Sequence, residues 1–317
     1  PSRAHGKIAK QTSYRMNLKA ADIQKVSEQL GADSPVELEV FLQCKDHTVS
    51  RETFTLYKDA KRDLLVTLPQ PPEKRLAGYY ESEDYISHTD SRRNLLEMAY
   101  QMVREFSLKK KEKLVTRVNQ GKGRILDVGC GTGDFLKTCE QSGWSIAGIE
   151  PNEKAREQAL RKTNLKDYKG TIEEMIETRP ESFDVITMWH VLEHVPNLTE
   201  FLTKVKTMLK PEGVLIVAVP NFKSNDAEHY GSSWAAYDVP RHLWHFSRTS
   251  MEIIFSDFDM KVLEVLPMVF DSYYVSLLSE KYLKGKQNYF AAFYQGFVSN
   301  LKAKRSGEYS SLIYLIK

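Results

Sequence analysis

Cysteine is scarce in this sequence, and its cysteines form no familiar binding pattern. Among 317 residues there are three, Cys44, Cys130 and Cys139, and no two of them form a C-x-x-C pair. Neither a zinc site nor a disulfide framework is indicated, and reduced thiols are typical of the cytosol. Long hydrophobic runs are missing as well, since no stretch approaches the roughly 20 apolar residues that cross a bilayer. With no signal peptide at the start of the sequence, we expect a cytoplasmic protein without integral membrane contact.

A strong net charge of either sign is also missing. The formal net charge is +3, and residues 1–120 hold 21 Lys/Arg against 17 Asp/Glu, which leaves 24 against 25 for the remainder. Enzymes that act on nucleic acids commonly carry a basic face on their catalytic part. The neutral second part therefore favours a small-molecule substrate and no nucleic acid, and the oligomeric state stays unknown.

Hydrophobic periodicity divides the chain into a small N-terminal part and a larger part in which strands and helices alternate. Apolar and polar residues alternate over 36–67, as in short half-buried strands, and a helical stretch follows over roughly 91–118. From residue 124 onward the alternation is typical of a mostly parallel sheet with helices on both faces. We predict an α/β fold in four parts: a flexible arm at 1–17, a small subdomain at 18–78, a linker and helix at 79–119, and the main domain at 120–317.

A glycine-rich turn follows the first strand of the main domain. Residues 125–136 read ILDVGCGTGDFL, with Gly129, Gly131 and Gly133 at alternate positions. Glycine allows a ligand to approach the backbone, and the helix that follows contributes free N–H groups. The spacing differs from the G-x-G-x-x-G of dinucleotide sites, and Asp127 would repel a pyrophosphate. Glu150, at the end of the next strand, can accept hydrogen bonds from ribose hydroxyls. The pattern predicts a ligand with a ribose and a cationic group but no phosphate, which S-adenosylmethionine (SAM) fits.

Together with their neighbours, these motifs resemble those of class I SAM-dependent methyltransferases. The resemblance covers about residues 120–270, in the segments ILDVGCGTGDFL, IAGIEPN, FDVITMWHVLEHVPN and MLKPEGVLIVAVPN. It is strongest to the branch that includes the ubiquinone-pathway O-methyltransferases. It implies a Rossmann-like sheet of seven strands in the order 3-2-1-4-5-7-6, with strand 7 antiparallel, helices on both faces and a small N-terminal β/helical subdomain. It also implies SAM as cofactor and S-adenosylhomocysteine (SAH) as product.

The resemblance further implies which residues contact the cofactor. Glu150 would bind the ribose, and Thr171 stands where the family often has an acid near the adenine. Met188, Trp189 and His190 would line the floor beneath the reactive methyl group. The full predicted set is Tyr85, His88, Asp127, Gly129, Cys130, Gly131, Gly133, Glu150, Pro151, Asn152, Thr171, Ile172, Met188, Trp189 and His190.

Histidines after two of the strands are the candidates for acid–base catalysis. Methylation of a hydroxyl benefits from a general base, and histidine is the usual one near neutral pH. His190, His242 and His245 are the predicted catalytic residues. His190 and His194 also have the i, i+4 spacing of a metal pair, but similar sequences use this segment to support the cofactor pocket. No metal is therefore expected.

A segment late in the sequence is open to two interpretations. Residues 271–304 form a predicted helical insertion, between late strands at 261–268 and 310–317. Its four aromatic residues on one face are either the core of a helix pair or a lid over an apolar acceptor; they are Phe290, Phe293, Tyr294 and Phe297.

The N-terminal subdomain resembles a degenerate zinc ribbon. Cys44 is the one remaining cysteine, because Lys58 and Lys61 stand at the expected knuckle positions. One cysteine cannot close a structural zinc site, so we expect a subdomain without metal.

The favoured hypothesis is a SAM-dependent methyltransferase that acts on a small molecule at oxygen. A non-catalytic SAM-binding scaffold is the first alternative. An NAD-linked oxidoreductase is opposed by Asp127 and by the glycine spacing. An RNA or protein methyltransferase is opposed by the neutral main domain and by TMWH, which stands where an NPPY-like motif would be expected.

Overall fold

The computed structural model describes residues 18–72, 75, 77–80, 95–164 and 167–317. The predicted arm at 1–17 and the candidate cofactor residues Tyr85 and His88 lie outside these ranges. Within the described part of the chain, no helix combines the length and the apolar character needed to cross a bilayer.

A seven-stranded sheet forms the centre of the main domain. Its strands lie in the order β10-β11-β8-β7-β4-β5-β6, and β11 is antiparallel to both neighbours while the other pairs from β8 to β6 are parallel. Read from the β6 edge, this is the predicted order 3-2-1-4-5-7-6, so the fold prediction is confirmed. The strands are β4 Arg124–Val128, β5 Ser145–Ile149, β6 Tyr168–Lys169, β7 Phe183–Trp189, β8 Leu209–Pro220, β10 Val262–Pro267 and β11 Ser311–Ile316.

Helices cover both faces of this sheet because neighbouring strand residues point to opposite sides. Ile125 packs with Phe135 and Val115 in one apolar cluster, whereas Leu126 packs with Leu202 and other residues in a second cluster. The helices are α1 Ala20–Gln29, α2 Leu95–Val118, α3 Asp134–Gln141, α4 Glu153–Lys162, α5 Ile172–Thr178, α6 Leu198–Met208, α7 Asn225–Tyr230, α8 Arg248–Ser256, α9 Asp271–Lys284 and α10 Tyr289–Ser306.

A second, antiparallel sheet joins the N-terminal part to the main domain. It consists of β1 Leu38–Lys45, β2 Thr53–Asp59, β3 Leu64–Leu68 and β9 Trp244–His245, in that order. β9 lies in the segment that follows β8, and it pairs Trp244 with Val66. The predicted subdomain therefore completes its sheet with a strand of the main domain.

Cys44 lies in the core of this small sheet. It is 2% exposed and packs in one cluster with Phe54 and Leu56. Burial raises the pKa of its thiol to about 12, so the side chain is a neutral apolar group. Within the described ranges, Cys44 belongs to no group of three or more potential metal ligands.

The aromatic residues of the helix pair α9 and α10 do not lie where the first interpretation of the sequence placed them. The aromatic stripe faces outward, with Phe290 92% and Phe293 65% exposed, so its interpretation as core is wrong. The two helices instead meet through small polar residues. Ser272 Oγ donates to the carbonyl of Gly296 at 3.1 Å, and a Cβ on Gly296 would lie 2.8 Å from the Tyr273 ring. This close approach leaves the bulky residues of α10 on the opposite face.

The exposure of this stripe can be tested by paired truncations. Phe290→Ala should change the free energy of unfolding by less than about 0.5 kcal/mol, as is usual at the surface. Phe255→Ala removes a side chain with 0% exposure and should cost about 3–5 kcal/mol. Denaturant unfolding followed by circular dichroism measures both. A large loss for Phe290→Ala would mean that the stripe is buried after all.

Candidate active site

The candidate site lies at the carboxyl ends of the parallel strands. Parallel pairing sets Asp127 of β4 opposite Thr187 of β7 and opposite Gly148 of β5. The loops that follow these strands therefore meet at one edge of the sheet, which is where open α/β sheets bind ligands.

The three loop glycines are required for two different reasons. All have a positive φ, of 70° at Gly129, 54° at Gly131 and 79° at Gly133. A Cβ on Gly129 would lie 2.6 Å from Val191 Cγ2, and one on Gly133 would lie 2.8 Å from Ala159 Cβ. At Gly131 no atom of the described residues, apart from the two chain neighbours, lies within 4 Å of the added carbon. Gly129 and Gly133 are thus fitted to the protein, whereas Gly131 faces open space.

Glu150 holds this loop in place through backbone contacts. Its Oε2 accepts from the N–H of Gly131 at 2.8 Å, and its Oε1 accepts from the N–H of Asn152 at 2.9 Å. A carboxylate offers about four acceptor positions, so capacity remains for the two hydroxyls of a ribose. Asn152 is the N-cap of α4.

The other predicted cofactor residues on this side have structural contacts of their own. Thr171 caps α5 by accepting from the N–H of Glu174. Pro151 is exposed, Ile172 is 8% exposed and Met188 is completely buried. Cys130 is buried, and burial raises the pKa of its thiol.

A pair of opposite charges, the buried Asp127 and the half-buried Lys111, adjoins the glycine loop. Asp127 accepts a 2.6 Å hydrogen bond from the Thr187 hydroxyl, and Lys111 of α2 interacts electrostatically with Asp127 and with Asp271. Burial raises the pKa of Asp127 and lowers that of Lys111, while each charge favours the ionised form of the other. The Lys111 ammonium also lies 4.2 Å from the centre of the Trp189 ring. The pair presents both signs of charge beside the loop, which suits an amino-acid zwitterion.

His190 lies at the end of β7 between two carboxylates. Its backbone φ of 58° is unusual for a residue other than glycine. Nδ1 lies 3.2 Å from Glu193 Oε1, and Nε2 lies 3.1 Å from Asp271 Oδ2. Although burial opposes the charge, the two carboxylates raise the pKa of His190 to about 10. The ring is therefore a cation that donates on both sides, and it does not fit the predicted role of general base.

His242 and His194 lie on the other side of Glu193. Their rings meet edge to face with centroids 4.6 Å apart, and His242 Nδ1 donates to the carbonyl of Ala236 at 2.8 Å. Burial and the neighbouring His242 lower the pKa of His194 to about 4. Asp271, His190, Glu193 and this histidine pair thus form one continuous polar network.

His245 belongs to the sheet that joins the two parts of the protein. It is 4% exposed, and its Nε2 lies 2.9 Å from the Thr67 hydroxyl of β3. Burial lowers its pKa well below the usual value. This neutral, enclosed ring has the contacts of a packing residue, and the structure adds no support for a role in catalysis.

Three residues of the site, Lys111, Glu193 and Asp271, are absent from the predicted set. Lys111 could have been noticed in the sequence, because it is a charged residue on the apolar face of α2 that carries Leu108, Val115 and Val118. Asp271 could not have been noticed in this way, since it contacts His190 from 81 positions away in the sequence.

Comparison with known proteins identifies the family. The family model described as "Methyltransferase domain" matches residues 85–265, more than half of the chain. The chain belongs to the methyltransferase domain family. The resemblance to class I SAM-dependent methyltransferases is confirmed, and with it SAM as the cofactor.

Curated relatives of this methyltransferase domain include ubiquinone biosynthesis O-methyltransferases. The one from Bradyrhizobium diazoefficiens is 32% identical over 161 residues, which cover 48% of this chain and 62% of the relative. The one from Actinobacillus pleuropneumoniae is 37% identical over 107 residues, covering 31% of this chain and 46% of the relative. The chain thus spans less than two thirds of each of these relatives.

Among solved structures, a SAM-dependent methyltransferase from Archaeoglobus fulgidus is similar at 18% identity with a TM-score of 0.45, covering 71% of this chain and all of that one. At this score the likeness adds nothing to the strand order described above.

The space at Gly131 yields a test of cofactor contact. Gly131→Ala should cost about 1–2 kcal/mol of stability from its positive φ, and it should weaken SAM binding at least tenfold because the methyl group enters the space left for the ligand. Gly285→Ala is the matched control, with a φ of 71° and no atom near the added carbon. It should lose similar stability and keep its affinity in calorimetric titration. Equal affinities for SAM in the two variants would remove Gly131 from the binding site.

Proposed function

We propose that the protein transfers the methyl group of SAM to an oxygen atom of a small-molecule acceptor. The observation that carries this proposal is the arrangement of Glu150, Gly131 and the Asp127–Lys111 pair at one edge of the sheet. It combines acceptors for a ribose, open space beside a glycine, and both signs of charge. The oxygen target is favoured by the similarity to the O-methyltransferases named above.

The residues present fit the three parts of SAM. Glu150 has acceptor capacity for the ribose hydroxyls. Asp127 would attract the ammonium group of the methionyl part, and Lys111 would pair with its carboxylate. The negative face of the Trp189 ring, which already attracts Lys111 at 4.2 Å, would also suit a sulfonium.

Bound SAM supplies a methyl carbon that is already activated by the positive sulfur. The protein then has to align the acceptor oxygen with this carbon and exclude water. The glycine loop, together with the floor formed by Met188 and Trp189, would hold SAM in place. His190 would contribute a fixed positive charge at the end of β7, since both of its nitrogens are held by carboxylates.

Of the three predicted catalytic histidines, His242 is the one that we keep on the acceptor side. His190 is protonated and His245 is enclosed against β3. His242 Nδ1 is bonded to the Ala236 carbonyl, which leaves Nε2 as the nitrogen with a lone pair. His242 lies in the segment that follows β8, at the edge of the sheet where ligands bind.

Cofactor binding is tested by a conservative change at Glu150. Glu150→Gln keeps the size but removes the charge, and it should weaken SAM binding about 10- to 100-fold, the equivalent of one or two hydrogen bonds to a charged group. Glu153→Gln, an exposed residue three positions later, is the matched control and should bind like the unmodified protein. Calorimetry with SAM, SAH and NAD provides the measurement, and NAD should not bind. Unchanged SAM affinity in Glu150→Gln would overturn the assignment of the ribose site.

Turnover separates the enzyme from the scaffold alternative. SAH formation from SAM should require an added small hydroxylated acceptor, and mass spectrometry should place the methyl group on oxygen. Parallel reactions with amines, RNA and unfolded protein test the other acceptor classes. Tight SAM binding with no SAH formed from any acceptor would favour the scaffold, and methylated nitrogen or RNA would replace the proposed acceptor.

A further inference from the structure

The aromatic stripe of α10 belongs to a longer row of exposed apolar side chains. Side chains that are three, four, seven and eleven positions apart lie on one side of an α-helix, because its turn contains about 3.6 residues. The exposed residues of the row follow this spacing over roughly 17 Å of helix. They are Phe290, Phe293, Tyr294, Phe297 and Leu301.

The contacts on the opposite side of α10 keep this row facing outward. There, the hydroxyl of the completely buried Ser299 donates to Asp226 of α7 at 2.6 Å. The side-chain amide of Asn300 donates to the carbonyl of Val269 at 2.9 Å. A rotation of α10 about its axis would break both hydrogen bonds and leave buried polar groups without partners, which is costly. The row is therefore fixed on the outside of the folded protein.

Positive charge accompanies the apolar row. Residues 281–307 contain six Lys or Arg and no Asp or Glu. Lys304 and Arg305 are exposed, and they follow Leu301 by three and four positions, so they lie on the same side of the helix one turn later. Lys286, which is also exposed, precedes the first turn of α10. This segment thus combines apolar side chains with charge of one sign.

The aromatic surface extends from α10 toward α2. Tyr273 of α9 stacks on Phe293 with ring centroids 5.1 Å apart, and Phe270 meets Phe106 of α2 edge to face at 6.0 Å. Phe270 and Phe106 are 39% and 50% exposed. The ammonium group of Lys110 lies 5.1 Å from the centre of the Phe106 ring. Exposed aromatic rings beside lysine therefore recur at the α2 end.

This surface lies outside the matched methyltransferase domain. The match to the family model ends at residue 265, whereas α9 and α10 together run from Asp271 to Ser306. The two helices stand between β10 and β11 of the central sheet. What α10 binds is thus a feature of this chain and does not follow from the family match.

The charge of the segment favours one kind of occupant. A two-fold contact between two copies would place this surface against itself, and like charges would then meet without an acid between them. An anionic bilayer offers the opposite charge. Its boundary between headgroups and acyl chains takes up Phe, Tyr and Leu side chains, while the long side chains of Lys and Arg reach the headgroups.

We propose that α10 docks the protein on the surface of a membrane that contains anionic lipid. The apolar row would enter the boundary between headgroups and acyl chains, with the helix axis parallel to the membrane plane. Lys304 and Arg305 would pair with anionic headgroups. The contact is peripheral, because the other side of α10 stays packed on α7 and α9. Docking does not depend on the proposed methyl transfer.

Sedimentation of the full chain with vesicles tests the docking. One kind of vesicle is phosphatidylcholine alone, and the other contains about 30% of the anionic lipid phosphatidylglycerol. The protein should bind the anionic vesicles at about 0.1 M salt and lose most of this binding at about 1 M salt, because the Debye length falls from about 10 Å to about 3 Å. Binding to phosphatidylcholine alone should be at least about tenfold weaker. Neither SAM nor an acceptor is present, so failure of the methyltransferase proposal leaves the result intact.

A double variant tests the apolar part of the contact. Phe290→Ala/Phe297→Ala should weaken binding to the anionic vesicles at least about tenfold, because the removed rings no longer leave water on docking. Leu160→Ala, at an exposed apolar residue of α4, is the control and should bind like the unmodified protein.

A second double variant tests the charged part. Lys304→Gln/Arg305→Gln should weaken binding to the anionic vesicles about tenfold or more and leave the weak binding to phosphatidylcholine unchanged. Lys137→Gln/Lys154→Gln removes the same charge from exposed positions of α3 and α4, and it should bind normally. Far-ultraviolet circular dichroism and melting temperature confirm that each variant is folded.

Four results would overturn the proposal. The first is unmodified, folded protein that does not bind the anionic vesicles at low salt, which depends on no variant. The second is binding that Phe290→Ala/Phe297→Ala leaves unchanged. The third is equal binding to both kinds of vesicle, which would remove anionic lipid as the partner. The fourth is a dimer in sedimentation without vesicles that the same aromatic variant converts to a monomer, which would assign the surface to a second copy.

Discussion

The parallel pairing of β4 with β5 on one side and with β7 on the other is the constraint on which the site depends. Because parallel strands end at the same edge, Asp127, Glu150 and His190 come together although 63 residues separate the first from the last. The hydrogen bond from Thr187 to Asp127 joins β7 to β4 at this edge. A shift of either strand by one residue would turn Asp127 or Thr187 to the opposite face.

Alternating charge organises the polar residues behind this edge. Asp271 from α9, His190 directly after β7 and Glu193 from the following turn form a carboxylate–imidazolium–carboxylate series. A single buried carboxylate would be costly, but each one here is paired with the cation between them. The series continues to His194 and His242. Near these histidines, Asp238 forms an ion pair with Arg241. The Arg241 guanidinium also lies 3.6 Å from the carboxylate of Asp46 in the N-terminal part. The small sheet is therefore tied to the site by charge as well as by β9.

The histidines show how one residue type acquires different roles from its surroundings. His190 is held as a cation by two acids, His194 is kept neutral by burial beside His242, and His245 is neutral because it is enclosed against β3. In the sequence, His190, His242 and His245 are all candidates for a base. Their protonation depends on partners that are distant in sequence, such as Asp271 and Thr67.

The sequence by itself determined the α/β fold class and the glycine loop, whereas the order of the central sheet came from the resemblance of its motifs to those of class I SAM-dependent methyltransferases. The fold class and the loop depend on local signals: the period of the apolar residues, the glycine spacing, and the acids Asp127 and Glu150 at the ends of two neighbouring strands. The tertiary structure alone decided three other features, namely the pairing of β9 with β3, the outward face of the aromatic stripe on α10, and the cluster of Glu193 with His194 and His242. The first depends on a two-residue strand too short to show a period. The second depends on small residues that bring α9 and α10 so close that the aromatic rings fit only on the outer face. The third depends on contacts across about 50 positions of sequence, and no local pattern encodes which side chains will meet after folding.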